Sequence, residues 1–412
     1  MKSSSGARLL TVYYTIFLDF LGAAIVYPIL APLLLEKNRH FFDPSSTDDT
    51  RIWVLSLLLM AYPLAQFLAA PLLGAISDRK GRRPILLISV GGTLFSYALS
   101  AYGIQIESLS VLFISRLFGG VFAGNTSTCL AAIADVTREK KMRAKRFGYS
   151  SIFSGIAFIV GPLVGGVMSE PDIGFSAAMP LWIAAFLAWV NVIVLFVWFA
   201  ETCPGGDPTK SFSFFEGVYH IYEAFTTPLL WRLFAFFFFV ITTMDMLFLF
   251  VSTLLTMNYG LTPLGIGIFF AVDGVIWSLG TSLFNNFLLR WGSLRRITAL
   301  ASITALGTLA LLVPALQFSL FALCIALATL EFSVLWPNAY ALISSRASEE
   351  IQGKVMGMTG ALASAATIAA TLFGGKLLSI SARAFFLGTL GLMLLASICY
   401  VRFALKEGKV TS

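Results

Sequence analysis

Charge is scarce in this chain: only 12% of its 412 residues are Asp, Glu, Lys or Arg, against roughly 25% in a soluble globular domain. With 58% hydrophobic residues, too little polar surface remains to cover a water-facing body. Histidine is nearly missing. His40 and His220 are the only two, and both are expected in loops, which excludes histidine as a proton carrier within the membrane. The four cysteines, Cys129, Cys203, Cys324 and Cys399, form no short paired motif and read as small core residues. Zinc spacings, a P-loop and a dinucleotide fingerprint are all missing. No nucleophile–base pair or metal cluster supports an enzyme, and no metal or cofactor is expected. The net charge of +7 would suit a nucleic-acid partner, but the basic residues sit in short loops between apolar blocks, where membrane topology places them.

What the chain does have is apolar blocks of about the 20 residues that cross a bilayer. They fall near 9–34, 52–76, 84–104, 109–134, 147–169, 177–200, 230–256, 264–288, 296–316, 318–344, 354–379 and 384–404. This pattern predicts an all-α membrane protein with twelve transmembrane helices in two pseudo-symmetric six-helix bundles. The first block is too long for a signal-peptide core and lacks a small-residue cleavage site, so it is expected to be retained. ETCPGGDPTKSFSFFEGVYH, residues 201–220, is the one long polar interruption between the halves, and Pro204, Gly205, Gly206 and Pro208 stop the sixth span there. The chain then divides into an N-terminal bundle (1–201), a cytoplasmic linker (202–222) and a C-terminal bundle (223–412). Within and beyond the linker, SFFEGVYHIYEAF suits a short interfacial helix. RKGRR (79–83), REKKMRAKR (138–146), Arg290, Arg295 and Arg296 gather on one side. Only Lys37, Arg39, Arg51, Lys376 and Arg383 lie on the other. The positive-inside bias predicts a multi-pass protein of the inner or plasma membrane with both termini in the cytoplasm.

Several motifs add to this frame. The loop after the second span reads GAISDRKGRRP, Gly74 to Pro84. Gly74 allows close helix packing. Asp78 can cap a neighbouring helix or pair with an arginine. Around Gly81, Arg79, Arg82 and Arg83 can bind carboxylates, and Pro84 starts the third span where its missing donor costs nothing. The alternative is an ordinary basic loop, which the combined spacing disfavours. The first span carries LDFLGAAIVYPILAP (18–32), the fourth RLFGGVFAGN with Arg116 and Gly120, and the fifth GIAFIVGPLVGG (155–166). In the C-terminal half, LLRWGSLRR (288–296) looks like a decayed copy of the first loop.

These motifs resemble the twelve-helix drug:proton antiporters of the major facilitator superfamily, nearest to tetracycline-efflux-type proteins, along nearly the whole chain. The resemblance implies alternating access by two bundles around a midplane cavity. The first loop, with Asp78, would latch the cytoplasmic side. The motif of Gly155, Gly161, Pro162, Gly165 and Gly166 is the one associated with antiporters, and it implies close packing of the fifth span.

A charge at mid-bilayer costs at least about 2.5–3.5 kcal/mol, so each one needs a reason. Asp19, Arg116, Asp245, Asp273 and Glu331 all fall within spans. Asp19 and Arg116 match family positions implicated in coupling. Asp19 would carry the proton, and Arg116 would bias it or form a structural ion pair with it. Asp245, Asp273 and Glu331 could carry a proton, bind a cationic substrate or lie harmlessly near a helix end. Gln66, Asn125, Trp277, Trp336 and Asn338 are candidates for the substrate cavity, although Asn and Gln in spans also act as interhelical glue. The chain departs from the tetracycline pattern at three acid or histidine positions: Ser96 and Trp277 stand at two of them, and 297–316 holds no acid. The expected partners are therefore protons, membrane lipid and a small organic compound other than tetracycline, such as a drug, siderophore or metabolite, exported by a monomer. The alternatives are a proton symporter or facilitator for a nutrient, and a receptor on a retired transporter fold.

Overall fold

The computed structural model describes residues 5–37, 39–123, 125–137, 139–170, 174, 176–203, 216–226, 230–314, 317–347 and 352–408. Among them, twelve helices are long and apolar enough to cross a membrane. They are α1 (Gly6–Leu35), α2 (Asp48–Lys80), α3 (Arg82–Gln105), α4 (Leu109–Asp135), α5 (Lys145–Met168) and α6 (Met179–Trp198), then α7 (Trp231–Tyr259), α8 (Pro263–Trp291), α9 (Leu294–Leu312), α10 (Phe318–Ser344), α11 (Lys354–Ile380) and α12 (Ala382–Leu405). No strand occurs among the described residues. Each helix lies within a few residues of an apolar block. The chain is therefore a multi-pass membrane protein: such helices satisfy their own backbone groups where lipid cannot. Pro204 to Pro208, expected to stop the sixth span, lie outside the described residues. The linker helix (Glu216–Thr226) carries His220, which is thus helical rather than in a loop.

Three spans depart from a plain helix. α1 is helical over Ser5–Ile25 and again over Tyr27–Leu35, the second piece starting just before Pro28. α4 is built from Leu109–Phe122 and Asn125–Asp135. α8 contains a π-helical turn, Gly280–Phe284.

The described chain forms two compact units. The first holds Met1–Ser46, Ala61–Glu216 and Gly260–Val272; the second holds Thr47–Met60, Gly217–Tyr259 and Asp273–Ser412. In the first, Val12 and Ile16 of α1 pack on Leu86 and Val90 of α3, Cys129 and Ile133 of α4, and Leu195 of α6. In the second, Phe234, Phe236, Phe237 and Phe250 of α7 are fully buried, and Phe250 meets Phe385 of α12 edge to face at 5.8 Å. Elsewhere large apolar side chains point outward, among them Phe186, Trp189, Ile193 and Phe196 along one face of α6 and Leu300, Ile303 and Leu311 on α9. These faces need lipid as their solvent.

Glycine sets the closest approaches in the first unit. A Cβ on Gly166 of α5 would meet Pro263 O at 2.5 Å and Gly267 Cα at 3.0 Å. One on Gly267 of α8 would meet Pro162 O at 2.5 Å. One on Gly161 would meet Ala24 Cβ at 2.8 Å, and one on Gly165 would strike the carbonyl of Ile25. The glycines of α5 thus seat it against α1 on one side and α8 on another, while Gly155 lies half-buried. Gly74 is different. A Cβ there would meet nothing within 4 Å, so the close packing expected of it is not used in this structure.

Candidate functional site

Asp19 sits near the middle of α1 and lines a small cavity with Thr93 and Tyr97 of α3 and Asn191 of α6. Gly22, one turn on, makes the room: the Tyr97 hydroxyl occupies the space its Cβ would need. Asn125 Nδ2 donates to Asp19 Oδ1 at 2.8 Å, and Asn125 Oδ1 is buried with no hydrogen-bond partner among the described residues. Asn125 is therefore a ligand of Asp19 before it is anything else.

Arg116 does not pair with Asp19. Its guanidinium lies over the Tyr62 ring at 4.9 Å from the centroid, and its Nε is buried with no hydrogen-bond partner among the described residues. Gly120, one turn further along α4, permits this. A Cβ there would meet Ala65 Cβ at 2.7 Å and strike the Tyr62 carbonyl, so α4 rests directly on α2. Gln66 donates from Nε2 to Ala123 O at 3.1 Å, at the break in α4, and is tied to that carbonyl.

In the second unit the acids follow one rule. Thr367 of α11 donates to Asp245 Oδ2 at 2.5 Å. Thr329 of α10 donates to Asp273 Oδ1 at 2.5 Å. Thr308 of α9 donates to Glu331 Oε1 at 2.9 Å. Asp273 and Trp277 line one cavity together with Met244, Phe248 and Phe332. Glu331 is two residues from Thr329 on α10 and so faces away, toward α9. Trp336 is taken up in an aromatic cluster with Tyr340 at 5.6 Å and Phe237 at 6.2 Å. Asn338 is buried and accepts from Asn285 Nδ2 at 3.2 Å.

The loop between α2 and α3 is held by Glu201, a residue that no sequence motif singles out. Gly81 adopts φ +99°, and a Cβ there would collide with Glu201 Cδ at 2.7 Å. The Glu201 carboxylate accepts from the backbone N–H of Arg82 at 2.8 Å, Arg83 at 3.0 Å, Thr202 at 2.9 Å and Cys203 at 3.0 Å. It thereby serves the unpaired amides that start α3. Asp78 pairs with Arg82 at 2.5 Å, and Arg82 Nε reaches Asp135 at 3.2 Å. Arg83 Nη2 donates to Phe196 O at 2.7 Å, and Arg79 is exposed at the end of α2. Asp78 thus forms the arginine pair expected of it, and Glu201 caps the start of α3.

No group of three or more His, Cys, Asp or Glu suited to a metal ion occurs among the described residues. Ser96 of α3 is buried, and its hydroxyl donates to Ser115 O at 2.8 Å.

Comparison with known proteins places these features in context. A family model described as the Major Facilitator Superfamily matches residues 12–332. The chain is 28% identical to the class C tetracycline resistance protein of Escherichia coli over 397 residues, covering 93% of this chain and 92% of that one. It is 35% identical to the class B tetracycline resistance protein of the same organism over 194 residues, 47% of this chain, and that match spans less than half (44%) of the relative's length. It is 31% identical to a quinolone resistance protein of Staphylococcus aureus over 231 residues, 55% of this chain and 52% of the relative. A crystal structure of a human organic anion transporter superposes with a TM-score of 0.72 over 97% of this chain and all of that one, at 22% identity, which shows a shared fold.

Proposed function

The chain belongs to the major facilitator superfamily and is a transporter rather than an enzyme; from that membership we propose that it is a proton-coupled exporter of a small organic compound. The observation that carries this is the hydrogen bonding of the buried acids. Asp19 is held by an amide, and Asp245, Asp273 and Glu331 by threonine hydroxyls. A carboxylate locked to a cation stays ionised. A hydroxyl, by contrast, can donate to a carboxylate or accept from a carboxylic acid, so its partner is served in either state. Asn125 offers the same service, with Nδ2 engaged as donor and Oδ1 still open as acceptor. Each of these acids thus keeps a hydrogen-bond partner whether or not it holds a proton, on one carboxyl oxygen only at Glu331, whose Oε2 has none among the described residues. Asp19 is the principal carrier on this reading, and Arg116, over Tyr62, is the cation that biases it without trapping it.

Export is favoured by the tetracycline and quinolone resistance relatives and by the glycine–proline motif of α5, whose glycines seat that helix on α1 and α8. Tetracycline itself is disfavoured, because the acid and histidine positions of that pattern are here a hydrogen-bonded serine and a tryptophan. The Asp273 cavity, walled by Trp277, Phe248 and Phe332, has a volume of about 40 Å³, room for water rather than for an organic compound in this conformation.

The test uses inside-out vesicles acidified by respiration, with a pH-sensitive dye and a panel of quinolones, hydrophobic cations, siderophores and metabolites. Lumen alkalinisation is expected on adding a transported compound and is lost in Asp19→Asn. Accumulation of the compound against its gradient with the pH gradient collapsed would end the proton-coupled reading.

A further inference from the structure

The seam between α8 and α10 carries polar groups that the transport reading leaves unused. At its upper rung, Thr329 donates to Asp273. Four residues along α10, about 6 Å, stands Ser333, whose carbonyl has no intrahelical donor because the residue four further on is Pro337. Thr281, inside the π-helical turn of α8, donates to that carbonyl at 3.3 Å. Gly280 lets the helices close, since the Ser333 hydroxyl fills the place of its Cβ. Five residues further along α10, about 7.5 Å, Asn338 accepts from Asn285 at 3.2 Å. The ladder descends toward the end of α8 that carries Arg290, which the positive-inside bias places in the cytoplasm.

The lowest rung is incomplete. Asn285 and Asn338 are 5% and 2% exposed, yet Asn285 Oδ1 and Asn338 Nδ2 have no hydrogen-bond partner among the described residues. A buried acceptor and a buried donor left open side by side are where a protein binds water. A π turn is rare and concentrates at functional sites. Here it places Thr281 on the carbonyl that Pro337 frees.

We propose that the α8–α10 seam is a proton conduit between Asp273 and the cytoplasmic side, completed by water held at Asn285 and Asn338. The proposal rests on the proton-coupled reading above. The Asp273 carboxyl gives its proton to water at the Thr329 rung. Each water along the seam takes up one proton and passes one on, and a single proton leaves at the cytoplasmic end; the Thr281 and Ser333 hydroxyls, which donate to backbone carbonyls, line the path and accept from its waters. The competing account is interhelical glue: two asparagines that merely hold the helices together.

Time-resolved infrared spectroscopy on the full chain in proteoliposomes separates the two. The carboxyl band of Asp273 is assigned by its loss in Asp273→Asn, and that of Asp19 by its loss in Asp19→Asn. After a pH jump on the cytoplasmic side, the double variant Asn285→Leu/Asn338→Leu, which removes both partners at similar volume, should slow the Asp273 band by on the order of tenfold or more. The Asp19 band should keep its rate. Asn338→Ser, which leaves a polar group and room for water, should retain most of the Asp273 rate. An unchanged Asp273 rate in the double variant would overturn the conduit. So would equal slowing of both bands, the mark of a structural role, or an Asp273 that stays ionised throughout. A seam that conducts as expected in a protein that moves no compound on a pH gradient would defeat the antiport reading and leave the conduit standing.

Discussion

Asp19 illustrates what a single buried acid needs in order to work. Its amide partner donates to the carboxylate and has an acceptor in reserve for the acid, so Asp19→Asn removes titration while keeping size and most of the hydrogen bonding. Net proton-driven transport should fall by roughly 10²-fold or more. Substrate affinity and substrate-for-substrate exchange at equal pH should change little. Binding measured on the purified variant alongside vesicle flux checks both halves of the statement, and a loss of affinity equal to the loss of flux would move Asp19 from coupling to binding. At Arg116 the prediction concerns shape. The guanidinium lies over the Tyr62 ring, and Arg116→Lys keeps the charge but replaces the broad, delocalised cation with a compact one. Flux should drop several-fold with protein abundance maintained, and Tyr62→Phe, which keeps the ring, should be mild. The acids themselves were legible in the sequence because a charge in an apolar run stands out in one dimension. Their partners were not. Thr367 is 122 positions from Asp245 and Thr329 is 56 from Asp273, and a threonine is unremarkable on a transmembrane helix until the packing is known.

At the scale of elements, the loop from Gly74 to Pro84 is readable from its spacing of charge and glycine, but its anchor is not. Glu201 reads in the sequence as the last residue of the N-terminal bundle, where the polar run begins. In the structure its carboxylate gathers four backbone amides and shapes the turn at Gly81. Hydrogen bonds to a charged group contribute about 1.5–3 kcal/mol, so Glu201→Ala should destabilise the N-terminal helices by an amount of that order. Asp78→Ala should do less damage, because Arg82 keeps Asp135 and Ser77. Thermal unfolding of the two variants in detergent ranks them, and the reverse order would contradict this account of the loop. The breaks in α4 and α8 escaped sequence reading for a related reason. Hydropathy averages over a turn of helix, and neither the interruption near Ala123 nor the π turn at Gly280 changes the average. Both breaks bring polar atoms to a neighbour: Ala123 O to Gln66, and Thr281 to Ser333.

For the molecule as a whole, length and hydropathy sufficed to place all twelve spans, because lipid admits so few solutions for the backbone. The connection between the halves was less visible, since the polar run after Glu201 shows where helices stop but not what holds the chain that joins them. The linker helix lies against α11: Lys354 Nζ meets Glu223 at 2.6 Å, and Gly357 leaves room for the His220 ring at 3.4 Å. The Lys354 ammonium holds the Glu223 carboxyl below its ordinary value of 4.5. With the folded value depressed, the contribution of this contact is fully present above 4.5 and is lost only as pH falls through the lower folded value. The tie between the linker helix and α11 should therefore be indifferent to pH between neutrality and mild acidity. Hydrogen exchange of Glu216–Thr226, corrected for intrinsic rates, should be the same at pH 8 and about pH 6, well above the window in which the contact is lost. Glu223→Gln, which removes the charge at every pH, should raise it a few-fold, the scale expected of a partly exposed ion pair. Wild-type exchange that rises by the same factor on mild acidification would contradict this account of the tie.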